Sequence, residues 1–524
     1  MRLRLLLLAG LLSCKTDSKS VPEPEPEPTS TLSTAELTRR LSYDLRGIPP
    51  TPAELARAES DGAWALRDEF LADPLFEERL VHLFAQTWHT RVDVFDIIPL
   101  DYGLDPVLEY DFERAVGEEP LRIVARVVSE DRPWSEVVTA DWTMAEDILL
   151  SVWPLDADGE GPGWREAHYT DARPSAGVLA TNGLWWRYTT TTSNINRARA
   201  AAISRLLLCE NYLVRPVAFS AADLSDTTTE DAAQNNPYCL ACHASLDPVA
   251  ASLFGFWWLS LYSEIEETTY HPEREALWDQ TLGVEPAWYG EPISGLPDLG
   301  AAVAGDNRFY ACAVETFAEG LWQRDTTNDD MAELERLRRA FLEAGASPLT
   351  LVKAITESDA YAEPTERMLT HDQLRSSLHA LTGFRWEIDS RDLLDSDESG
   401  FRLLLGGVDG VALTSPQREP GLTWALGVKR ASEAAAAHVV AADLLDTRDG
   451  VLFSEVDLSH RPGDAAFTRE LGSLHQRMYG TEASAEWTTD IEALWSAVES
   501  EDGAARAWEA VVSVMLRDPA FLAY

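Results

Sequence analysis

The sequence predicts a mainly α protein made of several helical domains. Three observations predict it: apolar residues recur at helical spacing, capping residues stand ahead of several of those stretches, and two-residue alternation is short wherever it occurs. Polar stretches at 156–163, 264–297 and 389–410 read as loops between the helical parts.

Residues 1–13 carry Arg2 and Arg4, then Leu5 to Leu8, then Ala9-Gly10-Leu11-Leu12-Ser13 ahead of Cys14. That order is a secretory core running into a lipobox, too short to span a bilayer. The expectation is cleavage before Cys14 and acylation of its thiol, which leaves the mature chain held to a membrane by lipid. Lys15 follows and does not read as an inner-membrane retention signal. The predicted location is therefore the outer membrane, facing the periplasm or the cell surface. Residues 14–32, with the Pro-Glu repeat from Val21 to Pro28, form a stiff, charged spacer.

Helices begin at Ser33-x-x-Glu36, a capping box with Leu37, Leu41 and Leu45 on one face and Gly47 as terminator. Thr51-Pro52-Ala53-Glu54 opens a second helix with cap, N1 proline and N3 glutamate in place. Helical spacing continues from Leu121 to Val124 and through Leu334, Leu337, Phe341 and Leu342, and Thr370-x-x-Gln373 opens a helix ended by Gly383. Asp73-Pro74, Asp518-Pro519 and Asp359-Ala360-Tyr361 read as helix terminators. No fixed period links these units, which excludes a solenoid. The expected domains are 33–155, 164–300, 301–365 and 366–524.

Net charge is −45, from 43 basic and 88 acidic residues. Phosphate contacts need a basic face, so nucleic acid is excluded as a partner. An acidic surface keeps an exported protein soluble and can steer a basic redox partner.

Chemistry concentrates at Cys239-Leu240-Ala241-Cys242-His243. Two thiols one helical turn apart, followed by an imidazole, match covalent attachment of a c-type haem: Cys239 and Cys242 take the vinyl groups and His243 ligates iron. A structural zinc site would need two further Cys or His ligands, and the nearest downstream is the lone His271, in what reads as an exposed loop. A thioredoxin-like pair would follow a strand, whereas Asn235 to Tyr238 reads as a turn. Asp247-Pro248 reads as the cap of a following helix, and Leu253, Phe254, Phe256, Trp257 and Trp258 are candidates for pocket walls or ordinary core. Trp185 and Trp186 carry the same two readings. Haem attachment takes place outside the cytoplasm, in agreement with the leader. Of the remaining cysteines, Cys209 and Cys312 are either a disulfide in that oxidising compartment or two buried thiols. Asp395-x-Asp397-x-Ser399-Gly400 begins like a calcium loop but has Gly406 where a bidentate glutamate belongs, so it reads as a polar turn. The eight histidines other than His243 and His271 show no ligand-like spacing.

The run from Arg39 to Pro52 resembles the opening of planctomycete-type secreted multi-domain cytochrome c proteins. Glu130 to Asp141 is similar to that family's second helical domain. Ala176 to Leu179, Thr191 to Asn194 with Arg197, and Asn236-Pro237 with the Cys-x-x-Cys-His run and Asp247-Pro248 resemble its haem-bearing domain. Phe309 to Val314 and Leu349 to Tyr361 resemble the small helical domain that follows. Leu246 stands where family members tend to have methionine, and Leu253 to Trp258 replaces their apolar-Glu-x-Phe-Asp stretch. The resemblance implies an exported protein with several helical domains around a cytochrome c-like segment and one covalent haem c. The expected role is one-electron transfer with a redox protein partner. A haem enzyme with an open, peroxidase-like distal site, or a haem-free helical scaffold, are the alternatives.

Overall fold

The capping box at Ser33 forms as the sequence predicts: Ser33 Oγ accepts from the Glu36 amide and Glu36 returns a bond to the Ser33 amide at 2.8 Å. It starts α1 (Thr34–Arg46), which Gly47 ends at φ 74°. The computed structural model describes residues 32–93, 97–215, 236–257, 269–389, 391–445 and 450–524. The leader, Cys14 and the Pro-Glu spacer lie outside them.

The described chain is mainly α. Helices α2 (Pro52–Asp61), α3 (Ala63–Leu71) and α4 (Pro74–Trp88) follow α1, and Pro120 sits inside the long α5 (Glu109–Ser129). Asp73 does more than end a helix: its carboxylate accepts from the Leu75 amide and so caps α4, with Pro74 at N1 where no amide donor is needed. Asp518 does the same for Pro519–Leu522, and Ser358, not Asp359, caps Asp359–Ala362. The terminators expected from sequence are therefore also starts, because an Asp-Pro or Ser-Asp step satisfies the first amides of whatever comes next.

The polar stretch from 156 is not simply a loop. β1 (Thr143–Ala145), β2 (Leu155–Ala157) and β3 (Arg165–Tyr169) form an antiparallel sheet in the order β1-β3-β2, with Thr143 opposite Ala167 and Leu155 opposite Tyr169. Pairing with β3, the next strand along the chain, decides it, and local polarity does not report that pairing. Within the second expected loop, Pro272–Leu277 and Trp278–Thr281 are helical turns, and Ala287–Trp288 pairs with Glu291–Pro292. In the third, Arg391–Asp392 pairs with Glu387–Ile388.

Later in the chain come α6 (Arg197–Leu208), α7 (Pro237–Ala251), α8 (Asn307–Trp322), α9 (Met331–Glu343) and α10 (Pro348–Thr356). Cys209, at the end of α6, and Cys312, in α8, form a disulfide at 2.13 Å that spans 103 positions. Cys209 is exposed and only Cys312 is buried, so the reading as two buried thiols does not apply.

Residues 32–524 make one compact unit with two apolar cores. The first takes in Leu41, Phe84, Val124, Trp185, Phe254, Phe317 and others through Tyr361, and so crosses the expected boundaries after 155 and at 300. The second contains Tyr43 and then residues from Leu369 to Leu522. It is built from α11 (His371–Thr382), α12 (Leu422–Val440), α13 (Ala465–Tyr479), α14 (Ala485–Asp502) and α15 (Ala504–Met515). Apart from Tyr43, the first core ends at Tyr361 and the second begins at Leu369. Helix α1 serves both, Leu41 and Leu45 facing one and Tyr43 the other, which is why nearly all of it from Thr38 onward is covered.

Where the cores meet, the packing is polar. Arg79 on α4 pairs with Asp372 on α11 at 2.6 Å, and Arg367 pairs with Asp44 on α1 at 2.8 Å, all four side chains being almost fully buried. Tyr524 donates to the other oxygen of Asp44 at 2.6 Å.

Candidate functional site

Helix α7 carries the Cys-x-x-Cys-His run. Asn236 and Pro237 do not form a free turn but start this helix: Asn236 Oδ1 accepts from the Tyr238 amide at 2.9 Å and Pro237 takes N1. Steps of three and four then place Cys239, Cys242, His243 and Asp247 along one side. Cys239 and Cys242 are free thiols, each half-buried, and Tyr238 and Leu240 beside them are exposed apolar side chains.

Asp247 is not the cap of a following helix. The same helix continues through Pro248 to Ala251, and Asp247 faces back one turn, its Oδ1 lying 2.9 Å from His243 Nδ1. Arg197 on α6 grips that carboxylate with two bonds, 2.7 and 3.0 Å. Burial alone would raise the Asp247 pKa, but the hydrogen bonds from His243 and Arg197 outweigh it and hold the group ionised below its ordinary range. An ionised acceptor at Nδ1 fixes the imidazole tautomer and leaves Nε2 as the nitrogen that can meet a metal.

This donor set fits a c-type haem. Two accessible thiols stand one turn apart, and the adjacent imidazole is already oriented from behind by a carboxylate and an arginine. Leu253, Phe254, Phe256 and Trp257 are buried members of the first core, as are Trp185 and Trp186, while Trp258 lies outside the described residues. His271 is not on an exposed loop: it is 8 % exposed, its amide bonds to the Gly255 carbonyl, and its Nδ1 lies 3.0 Å from Glu273. The Tyr270 ring packs against Phe256 and draws the neighbouring His271 inward.

A second cluster lies at the meeting of the two cores. His82 on α4, His371 at the start of α11, and Asp395 bring one donor atom each within 4.8 Å of one another, all buried, and this group could hold a metal ion. Arginines surround it. Arg91 pairs with Asp395 and with Glu118 on α5, and Glu118 also takes Arg114 and Arg122. Burial would raise the Glu118 pKa, but those three guanidinium groups hold it far below the carboxylate range. The Asp395 to Gly400 segment is a turn, as its sequence predicts, held by the Asp93 carboxylate through the Asp397 amide at 2.9 Å. Histidines 82 and 371 are 289 positions apart in sequence, so no spacing rule finds them. The available signal was His82 standing inside the apolar run Leu80-Val81-His82-Leu83-Phe84, a position that buries an imidazole.

Burial, together with Arg402 and Arg91, depresses the His371 pKa to about 4, although Asp372 and Asp395 oppose the shift. His82 is depressed as well, by burial and then by Arg91. Between pH 6.5 and 4 the unfolded chain binds a proton that folded His371 refuses, so stability must fall as pH drops through that window. The expected loss from His371 is roughly 3 kcal/mol, with His82 adding in the same direction. Urea midpoints at pH 7, 5.5 and 4.5 check this: the decline is expected in the native chain and should be shallower in His371→Gln. An equal slope in both chains would rule the assignment out.

No family model, curated protein or solved structure matches this chain.

Proposed function

We propose that the chain is an exported, lipid-anchored c-type cytochrome carrying one covalent haem and passing electrons singly. The observation that carries the reading is the linkage on α7 of two free thiols to an imidazole whose Nδ1 faces a buried, arginine-clamped carboxylate. Cys239 and Cys242 would hold the group and His243 would ligate its iron, with Asp247 and Arg197 orienting His243. Bound there, haem c supplies a one-electron iron couple. The resemblance to the planctomycete-type multi-domain cytochromes supports the same reading, as does the lipobox at Cys14. The anchor would hold the chain at the outer membrane, facing the periplasm or the cell surface, where its acidic surface would meet a basic redox partner.

The test is expression of the full chain in a host with haem-attachment machinery. One porphyrin's added mass and a pyridine haemochrome spectrum with two saturated thioether links are expected. Material from a competent host that lacks the added mass overturns the reading. A reduced spectrum that shifts with carbon monoxide would move the assignment to the open-site haem enzyme.

A further inference from the structure

A cavity of about 420 Å³ opens beside the buried His82 cluster, where α1, α4 and α5 of the first core meet α11 and residues 384–394 of the second. Pockets that hold small organic ligands run from roughly 300 to 1,000 Å³, so this one suits a ligand of one or two rings.

Its wall carries five arginines and four acidic residues, and the charges are matched in place. Arg79 pairs with Asp372 at 2.6 Å, Arg375 with Asp392 at 3.3 Å and Arg385 with Glu387 at 3.9 Å, all six lining the cavity. Arg46 and Arg114, also in the wall, reach Glu54 at 2.9 Å and Glu118 at 3.0 Å. A free carboxylate or ammonium entering here would compete with a counter-charge already in position. A hydroxyl group would not. Each guanidinium has five N–H donors and each carboxylate about four lone-pair sites, so an ion pair leaves both partners with capacity to spare. Arg385 and Glu387 in particular stand too far apart to bond directly. Glu387 lies opposite Asp392 in the short hairpin of residues 387–392, which sets the two carboxylates on one face. Neighbouring hydroxyls could therefore accept from a guanidinium and donate to its carboxylate at once.

One side of the cavity is aromatic. Phe401 stacks on Trp386 with ring centroids 4.9 Å apart and planes 27° from parallel. Trp386 lines the cavity and Phe401 does not, so Phe401 backs one face of the indole and the cavity meets the other. Phe384 stands beside it at 6.2 Å between centroids. A flat array of C–H groups laid on this indole would leave water and gain aromatic contact. Hydroxyls around the edge and C–H groups on the faces are together the chemistry of a sugar ring.

We propose that this cavity binds a neutral mono- or disaccharide, its ring stacked on Trp386 and its hydroxyls shared between Arg375 and Asp392 and between Arg385 and Glu387. The site is remote in sequence from the Cys-x-x-Cys-His helix and does not depend on haem.

Isothermal titration of the full chain with glucose, galactose, mannose, xylose and maltose tests it, with benzoate and L-phenylalanine as charged comparisons. At least one of the five sugars is expected to bind at a single site with a Kd of about 1 mM or tighter, and the charged compounds about tenfold or more weakly than that sugar. Trp386→Ala should weaken the sugar by about tenfold or more, and Trp386→Phe, which keeps an aromatic face, should restore most of the loss. Ala380→Phe, which fills the cavity from an exposed helix position and leaves every charge in place, should abolish binding, and it decides the matter even if Trp386→Ala fails to fold. Binding of none of the five sugars overturns the proposal. So does benzoate or L-phenylalanine binding as tightly as the best sugar, or sugar binding that survives Ala380→Phe.

Discussion

Replacing Arg79 with methionine is expected to destabilise the protein by about 3–5 kcal/mol, because it leaves Asp372 charged and buried with its principal partner gone. The pair is 2.6 Å long with side-chain exposures of 4 % and 2 %, and it crosses from α4 in one core to α11 in the other. Burial would push the Asp372 carboxyl upward; Arg79, with His82 and His371, overrides that and holds it ionised far below the ordinary range. Removing the guanidinium therefore strands a charge on a side chain that is only 2 % exposed. The double variant Arg79→Met with Asp372→Leu removes both charges and should recover most of the loss, since an apolar pair of similar volume does not have to be stripped of its hydration on folding. Urea denaturation at pH 7 measures both. Because the pair joins two cores, the single variant should also unfold in two steps, the core from Leu369 onward separating first. A single sharp transition with a loss below about 1 kcal/mol would show that the joint is held by other contacts.

The helices were legible because their ends are set locally. Ser33 with Glu36, Thr51 with Glu54, and Thr370 with Gln373 lie three residues apart and form reciprocal bonds regardless of what packs on them, and all three capping boxes are present. The Cys-x-x-Cys-His run was legible for the same reason, since one helical turn brings its three donors together. Its support was not. Asp247 precedes a proline, which locally argues for a helix boundary, yet α7 runs through Pro248. The proline's missing amide costs one bond in a helix held at its other end by Val249 and Ala250 in the first core. The clamp on Asp247 arrives from Arg197, fifty positions away.

The joint between the cores was illegible for a different reason. Its pairs, Arg79 with Asp372 and Arg91 with Asp395, are separated by 293 and 304 positions. In a chain where a quarter of the residues are charged, nothing marks these few as buried. Polarity in sequence usually means exposure, and the segment around Asp395 read as a polar turn. The structure buries them because each carboxylate meets a guanidinium from the other half of the molecule. The same blindness hid a cavity of about 420 Å³ beside this joint, whose walls come from five separate stretches of chain.

If Cys239 and Cys242 hold haem c as proposed, Asp247→Asn is expected to leave the covalent attachment in place and raise the iron midpoint potential. The carboxylate accepts from His243 Nδ1, which would make the other nitrogen a stronger donor to a bound iron and favour the oxidised metal; an asparagine of the same shape keeps a hydrogen bond but removes the charge. Outer partners of this kind are worth about 10–100-fold in ligand strength, and each tenfold preference between oxidation states corresponds to about 59 mV for one electron. Arg197→Lys should act in the same direction and less strongly, because the two-pronged grip on Asp247 becomes a point contact. Cys239→Ala with Cys242→Ala is the opposite extreme, abolishing covalent attachment altogether while leaving the helical fold, since neither thiol is fully buried. Spectroelectrochemical titration reads the first two and intact mass the third. An Asp247→Asn protein with an unchanged potential would mean that His243 does not ligate the iron. A double-alanine protein that still carried covalent porphyrin would place the attachment elsewhere in the chain.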